Sequence, residues 1–302
     1  MLVRILGSAA GGGFPQWNCN CAGCQSTRAG DINAHQRTQS SLAVRATNGS
    51  WFLVNASPDV RQQLERLRDG VPNSVRSSPI AGVLLSDGEI DHTAGLMILR
   101  ESNEPLQIYG TNAVRQGLTE GFSLLRVLKN YCGVNWVNIE PGSKVNLSNN
   151  DNLGLEVEVF SLPSKPPKYM RSSLTVEGNW VVGFTFRDSS GVVTYAPALA
   201  ELSDSILQRF DNSDCILVDG TFWQDNELLA LGMSTRTART MGHLPLSGDD
   251  GSLIHLSKLS CKRKIFTHIN NTNPILIANS TERKIVQAAG MEVAYDGLTI
   301  EL

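Results

Sequence analysis

No stretch of this chain is apolar over the roughly 20 residues that a membrane-spanning helix needs, so the sequence offers no such helix. Charge of one sign is also missing: 26 Lys and Arg stand against 29 Asp and Glu, for a formal net charge of -3. With no basic patch and no acidic tail, neither nucleic acid nor a strongly basic partner is expected. The apolar start, Leu2-Val3-Arg4-Ile5-Leu6, is too short for a signal peptide and runs straight into a glycine loop. It reads as a first strand, and the expected compartment is the cytoplasm. There is no internal repeat and no low-complexity block. The run Gly11-Gly12-Gly13 lacks the Gly-Lys-Ser/Thr ending of a phosphate loop, so nucleotide binding is not expected.

What is present suits a globular protein with a sizeable core: 41% of residues are hydrophobic and 18% charged. Short runs of Val, Ile and Leu predict strands at 41–47 and 51–56, joined by a turn at Thr47-Asn48-Gly49-Ser50, and at 80–85. Further strands are expected at 153–162, 173–186, 192–196, 215–219 and 264–268. Helices are expected from Pro58 to about Asp69, with Val60, Leu64 and Leu67 on one face, and at 112–129, 249–260 and 279–289. Strands and helices mix without strict alternation, which predicts two packed sheets with helices outside. The linkers are too short to mark a boundary, so residues 1–302 read as one domain.

Cys19, Cys21 and Cys24 crowd three thiols into six residues behind the glycine run. Thiolates suit zinc, and a tight loop (here within about residues 11–30) can aim several at one structural ion. The competing reading is three inert or redox-active thiols. Cys132, Cys215 and Cys261 are scattered in apolar surroundings and read as buried free thiols.

Three apolar runs end in potential ligands. The first delivers Asp87, Glu89, Asp91 and His92; the second delivers Asp219; the third delivers His268. Singly, Asp219 and Asp91 read as helix caps and His268 as a core histidine. Jointly, two carboxylates and two imidazoles at strand ends suit iron, manganese, or zinc with open positions.

The segment Leu84-Leu85-Ser86-Asp87-Gly88-Glu89-Ile90-Asp91-His92-Thr93-Ala94-Gly95-Leu96 resembles the metal loop of the metallo-β-lactamase superfamily, His-x-His-x-Asp-His after a buried strand. The opening Gly7 to Cys21, the 86–92 loop, Met241-Gly242-His243 and Thr267 to Pro274 are more narrowly similar to the family of B proteins of pyrroloquinoline quinone (PQQ) biosynthesis. The resemblance runs from Arg4 to Ile300. It implies a four-layer αββα sandwich with a metal cleft along one edge of the sheets. It carries Asp91, His92 and His268 onto metal-ligand positions, makes Asp219 a fourth candidate, and puts His243 where related phosphodiesterases hold a histidine close to substrate. A histidine three residues beyond His268 would complete the cysteine site in relatives; this chain has Asn271, which leaves Asn271, His35, another group or water for the fourth position.

The departures matter as much. Asp87 and Glu89 replace the first two histidines, none lies near Leu162-Pro163-Ser164, and Ala196-Pro197 stand where a bridging aspartate is expected. A two-metal clamp on water is therefore not expected. What remains resembles a mononuclear site open to O₂ and substrate, which implies Fe(II) at the active site beside structural Zn(II). The implied role is iron-dependent hydroxylation of the tyrosine ring in the Glu-Tyr precursor of PQQ. Asp87 and Glu89 would act as supporting acids or ligands to a weaker metal. Alternatives are a carrier of PQQ or its precursor, and a residual metallo-hydrolase. Other PQQ biosynthesis proteins and a second copy of the chain are candidate partners. His255 reads as a packing or surface residue and His35 as surface. Phe222-Trp223 could wall a planar substrate, and Lys165, Lys168 and Arg171 could meet substrate carboxylates.

Overall fold

The computed structural model describes residues 1–46, 49–67, 75–147, 154–163, 165–170 and 177–302. The chain forms two compact units, one of Met1–Leu6, Ser40–Gly191 and Gly297–Leu302, the other of Gly7–Gln39 and Val192–Asp296.

The first unit is built on a mixed sheet. Its strands are β1 (Leu2–Gly7), β2 (Ser41–Arg45), β3 (Trp51–Val54), β4 (Ile80–Leu84), β5 (Leu106–Gly110) and β6 (Val134–Asn138), with the chain-final Thr299–Glu301 antiparallel to β1. β2 and β3 run antiparallel, whereas β3 to β6 are parallel, with Val54 opposite Leu84 and Leu84 opposite Tyr109. A parallel strand covered on both faces reads as a continuous apolar run, which is why 80–85 was legible. Val83 and Leu85 share a face with Leu53 and Ile108, and pack against Val60, Leu67, Leu96, Val114 and Leu128 from the helical side. Three antiparallel strands complete this unit: β7 (Lys144–Asn146), β8 (Glu156–Ser161) and β9 (Val182–Asp188).

The second unit holds the parallel strands β10 (Gly191–Ala196), β11 (Cys215–Asp219), β12 (Arg263–Thr267) and β13 (Glu292–Val293). Asp219 sits opposite Thr267, so β11 and β12 end level and deliver Asp219 and His268 to the same edge. The helix Asp204–Asp211 starts at Ser203, whose side chain accepts from the Ile206 amide, and Thr281–Ala288 starts likewise at Ser280.

Several expectations need adjustment. The helix after Pro58 begins at Val60 and passes into a 3-10 turn ending at Leu67, with Val60 and Leu67 fully buried; Asp69 lies outside the described residues. The expected helix at 112–129 is three pieces, Asn112–Gln116, a π turn at Gly117–Gly121, and Leu124–Lys129. A Cβ on Gly121 would strike the Met170 sulfur and the Tyr169 ring, so the helix is re-aimed there rather than continued. The 249–260 helix is the shorter Ser252–Leu256. Thr47 and Asn48 of the expected turn, Leu153, the 173–176 part of an expected strand, Ser164 and Arg171 also lie outside the described residues. Among the described residues, no helix is long and apolar enough to cross a membrane.

Candidate metal centre

In the first unit, β4 ends in a loop whose polar groups are wired in series. Asn55, at the end of β3, has a left-handed backbone (φ 62°), a conformation asparagine tolerates better than most residues. Its Oδ1 accepts from the Ser86 amide at 2.9 Å and its Nδ2 donates to Ser86 Oγ at 2.8 Å. Ser86 Oγ donates to Asp87 Oδ2 at 2.8 Å, and the Glu89 amide donates to Asp87 Oδ1 at 2.9 Å. Asp87 Oδ2 also lies 2.7 Å from Nδ1 of His92, on the short helix Ile90–Thr93. Tyr169 clamps the loop from outside, its hydroxyl donating to the Gly88 carbonyl at 2.5 Å.

Asp87 and His92 are both buried, while Glu89 and Asp91 are half-buried. Burial works to raise the Asp87 carboxyl, but the His92 imidazole outweighs it and holds the group below its ordinary value. Burial also opposes charge on His92, yet Asp87, Asp91 and Glu89 push its pKa up to about 9. With Nδ1 occupied by Asp87, Nε2 is the nitrogen left for an ion. Asp91 Oδ2 lies 3.8 Å from that nitrogen. Two ligands at about 2.1 Å from one ion stand roughly 3 to 3.5 Å apart, so the pair needs only a small adjustment to share one.

In the second unit, Asp219 is buried at the end of β11. Its Oδ2 accepts from the Leu199 amide at 2.8 Å and lies 2.6 Å from Nδ1 of His243. Its Oδ1 accepts from the Thr221 amide at 2.9 Å and from the Thr221 hydroxyl at 2.5 Å. Burial would raise this carboxyl, but His243, His268 and Thr221 hold it below its ordinary value. His268 sits just past β12 with a left-handed backbone (φ 54°), and its ring stacks on His243 at 5.6 Å. Ligand atoms of Asp219, His243 and His268 all lie within 4.8 Å of one another. An ionised carboxylate has about four lone-pair sites. Asp219 uses all four, so it could bind an ion only by releasing one of these partners.

The thiols of Cys19, Cys21 and Cys24 also fall within 4.8 Å of one another. Three sulfurs at about 2.3 Å from a tetrahedral zinc stand about 3.8 Å apart, so the cluster fits that ion. The Asn271 side-chain amide caps it: Nδ2 lies 3.0 Å from Cys19 Sγ and 3.4 Å from Cys24 Sγ. Turning that amide over would put its oxygen at the fourth position. Burial pushes the Cys21 thiol up to about 12, with Cys19 and Cys24 adding to it. Burial also works to raise Cys19, but hydrogen bonds from Cys21, Cys24 and Asn271 hold it below its ordinary value. An ion would replace those hydrogen-bonding protons. His35, the other named candidate for the fourth position, is exposed.

Some sequence expectations shift. Phe222 and Trp223 are buried; Phe222 meets His243 edge-on, and the Trp223 amide donates to Glu227. Neither ring is the open wall the sequence suggested. Cys215 and Cys261 are buried free thiols as expected, and Cys132 is half-buried. Lys165 and Lys168 are exposed. Sequence reasoning missed Thr221, Asn55 and Tyr169. Only Asn55 left a trace, as a turn-prone residue directly after an apolar run.

Residues 50–269 match the model of the β-lactamase superfamily domain. The chain is 44% identical over its whole length, and the whole of the relative's, to coenzyme PQQ synthesis protein B of Methylococcus capsulatus. It is 41% identical, again over both full lengths, to that of Acinetobacter baumannii. The chain belongs to the PqqB family. The crystal structure of Zn(2+)-bound PqqB from Methylobacterium extorquens superposes on all of it with a TM-score of 0.90 at 37% identity, covering both chains fully. A diphosphatase of the PhnP family shares the fold, with a TM-score of 0.68 at 21% identity over the whole of this chain and 97% of that one. This PqqB family member therefore has the metallo-β-lactamase fold, with mixed sheets and helices in an α/β sandwich. Membership ties it to PQQ biosynthesis.

Proposed function

We propose that this chain is an iron-dependent hydroxylase of PQQ biosynthesis, acting on the tyrosine ring of a Glu-Tyr-derived precursor. Asp91, His92 and His268 would hold one Fe(II). Asp219 would join them only by releasing a present partner. When bound, Fe(II) supplies the activation of O₂.

The observation that supports a mononuclear reading most is the direction of Asp87. It stands where relatives of the superfamily carry a first metal histidine, yet its carboxylate is sealed against His92 Nδ1, Ser86 and the Glu89 amide. It orients a ligand instead of building a second half-site. Glu89, half-buried and fixed by the same loop, is the remaining acid and would face substrate or solvent. His243 would take the phenol proton at Nε2, while Asp219 steadies the imidazolium through Nδ1. Zinc would occupy Cys19, Cys21 and Cys24 as a structural ion, with Asn271 above them. The precursor, other PQQ biosynthesis proteins and a second copy remain the proposed partners, and the cytoplasm the proposed compartment.

The test is to load zinc-containing protein with Fe(II) under argon, then add a linear or cross-linked Glu-Tyr peptide, O₂ and a chemical reductant such as ascorbate, which supplies the two electrons that take the second oxygen atom to water. The expected product gains one or two oxygen atoms by mass, and Zn(II) in place of Fe(II) gives none. Bound iron without oxygen in the product would overturn the hydroxylase reading.

A further inference from the structure

We infer that Thr221 is the positioning residue that sets the tautomer of His268, and thereby chooses which imidazole nitrogen faces the ion. The inference rests on the reading that His268 holds one. Thr221 lies two residues beyond β11, and it cannot swing away. Its amide donates to Asp219 Oδ1 at 2.9 Å, its carbonyl accepts from the Asn270 amide at 3.0 Å, and it is 3% exposed.

Its hydroxyl has one proton and several neighbours. Asp219 Oδ1 lies at 2.5 Å, the His268 carbonyl at 2.9 Å and His268 Nδ1 at 2.9 Å. The carboxylate is charged and closest, so it takes the proton. The Thr221 oxygen can then only accept toward the imidazole, and His268 Nδ1 must carry a hydrogen. The basic nitrogen of His268 is therefore Nε2. Asp87 produces the same outcome for His92 by direct contact at 2.7 Å. Asp219 serves two rings, His243 directly and His268 through one hydroxyl. Partners of this kind typically carry a 10–100-fold effect on metal affinity. The plainer alternative is that Thr221 merely closes a turn after Asp219.

Two measurements on the full chain separate these readings. The first is the two-bond proton–nitrogen spectrum of ¹⁵N-histidine protein, zinc-containing and iron-free, at about pH 8, above the ordinary histidine value of about 6.5. His268 is assigned by loss of its signal in His268→Gln. Wild-type His268 should show the Nδ1–H pattern, and Thr221→Val should lose it. The second is Fe(II) affinity under argon. Thr221→Val should bind about 10–100-fold more weakly, and Thr221→Ser should recover most of the loss. A wild-type His268 protonated at Nε2 overturns the inference even if Thr221→Val fails to fold. So does wild-type affinity in Thr221→Val when His268→Gln has lost its iron. Unchanged iron binding in His268→Gln would instead overturn the underlying reading that His268 is a ligand.

Discussion

Nδ1 of His92 lies 2.7 Å from Oδ2 of Asp87, with both side chains sealed from solvent. In the proposed function, this contact makes Asp87 the anchor of His92 as a ligand. Asp87→Asn keeps the shape and removes the charge that holds the His92 N–H. Fe(II) affinity, measured by anaerobic titration, should fall about 10–100-fold while zinc content stays unchanged. Unaltered iron affinity would contradict that role.

The same pair predicts a pH dependence of the iron-free protein. His92 is raised from its ordinary 6.5 to about 9 in the fold. A raised value means that the folded state binds the proton more tightly than the unfolded chain. Its stabilisation is therefore complete below 6.5 and is lost as pH rises through about 9. The thermal midpoint of iron-free wild type should fall across that window, and that of Asp87→Asn should fall less. Equal slopes would rule out the pair as the cause.

At the cysteine cluster, Cys21→Ser removes one of three sulfurs that lie within 4.8 Å of one another. Zinc content should drop and the thermal midpoint with it, because a structural ion contributes folding free energy directly. Asn271→Ala should weaken zinc retention against a chelator by less. A Cys21→Ser protein with full zinc and an unchanged midpoint would show three thiols with no ion to hold.

Gly95 lets the segment after His92 press against the loop leaving β3. Its amide donates to the Ala56 carbonyl at 2.9 Å, and a Cβ there would overlap the Ser57 carbonyl oxygen. Backbone atoms cannot yield as a flexible side chain does. Gly95→Ala should cost about 3 kcal/mol or more in denaturant unfolding, at the upper end for overpacking. A loss below about 1 kcal/mol would mean that this turn is free to shift.

The candidate ligand positions are legible because buried parallel strands write continuous apolar runs, and polar residues at their ends stand out. Asp91, His92, Asp219 and His268 are singled out that way, and the thiols by their density. The roles were harder to read. Residue type marks Asp87 as an acid, but Asn55, brought from another strand end, and the adjoining Ser86 decide where it points. Thr221 follows no period, and its importance exists only because β11 and β12 end level. β5 was missed because Leu106, Gln107 and Tyr109 are only partly buried and the strand gives no continuous apolar run. The 112–129 helix was drawn too long because Tyr169 and Met170, distant in sequence, occupy the space at Gly121.

The proposed function turns on one ion held by Asp91, His92 and His268. The most direct measurement is iron stoichiometry in zinc-containing Asp91→Ala, His92→Ala and His268→Ala, each loaded with Fe(II) under argon and stripped of loosely held metal. The account predicts one iron in the wild type and its loss in all three variants, with zinc retained. A full iron in His268→Ala, or in both Asp91→Ala and His92→Ala, would contradict it.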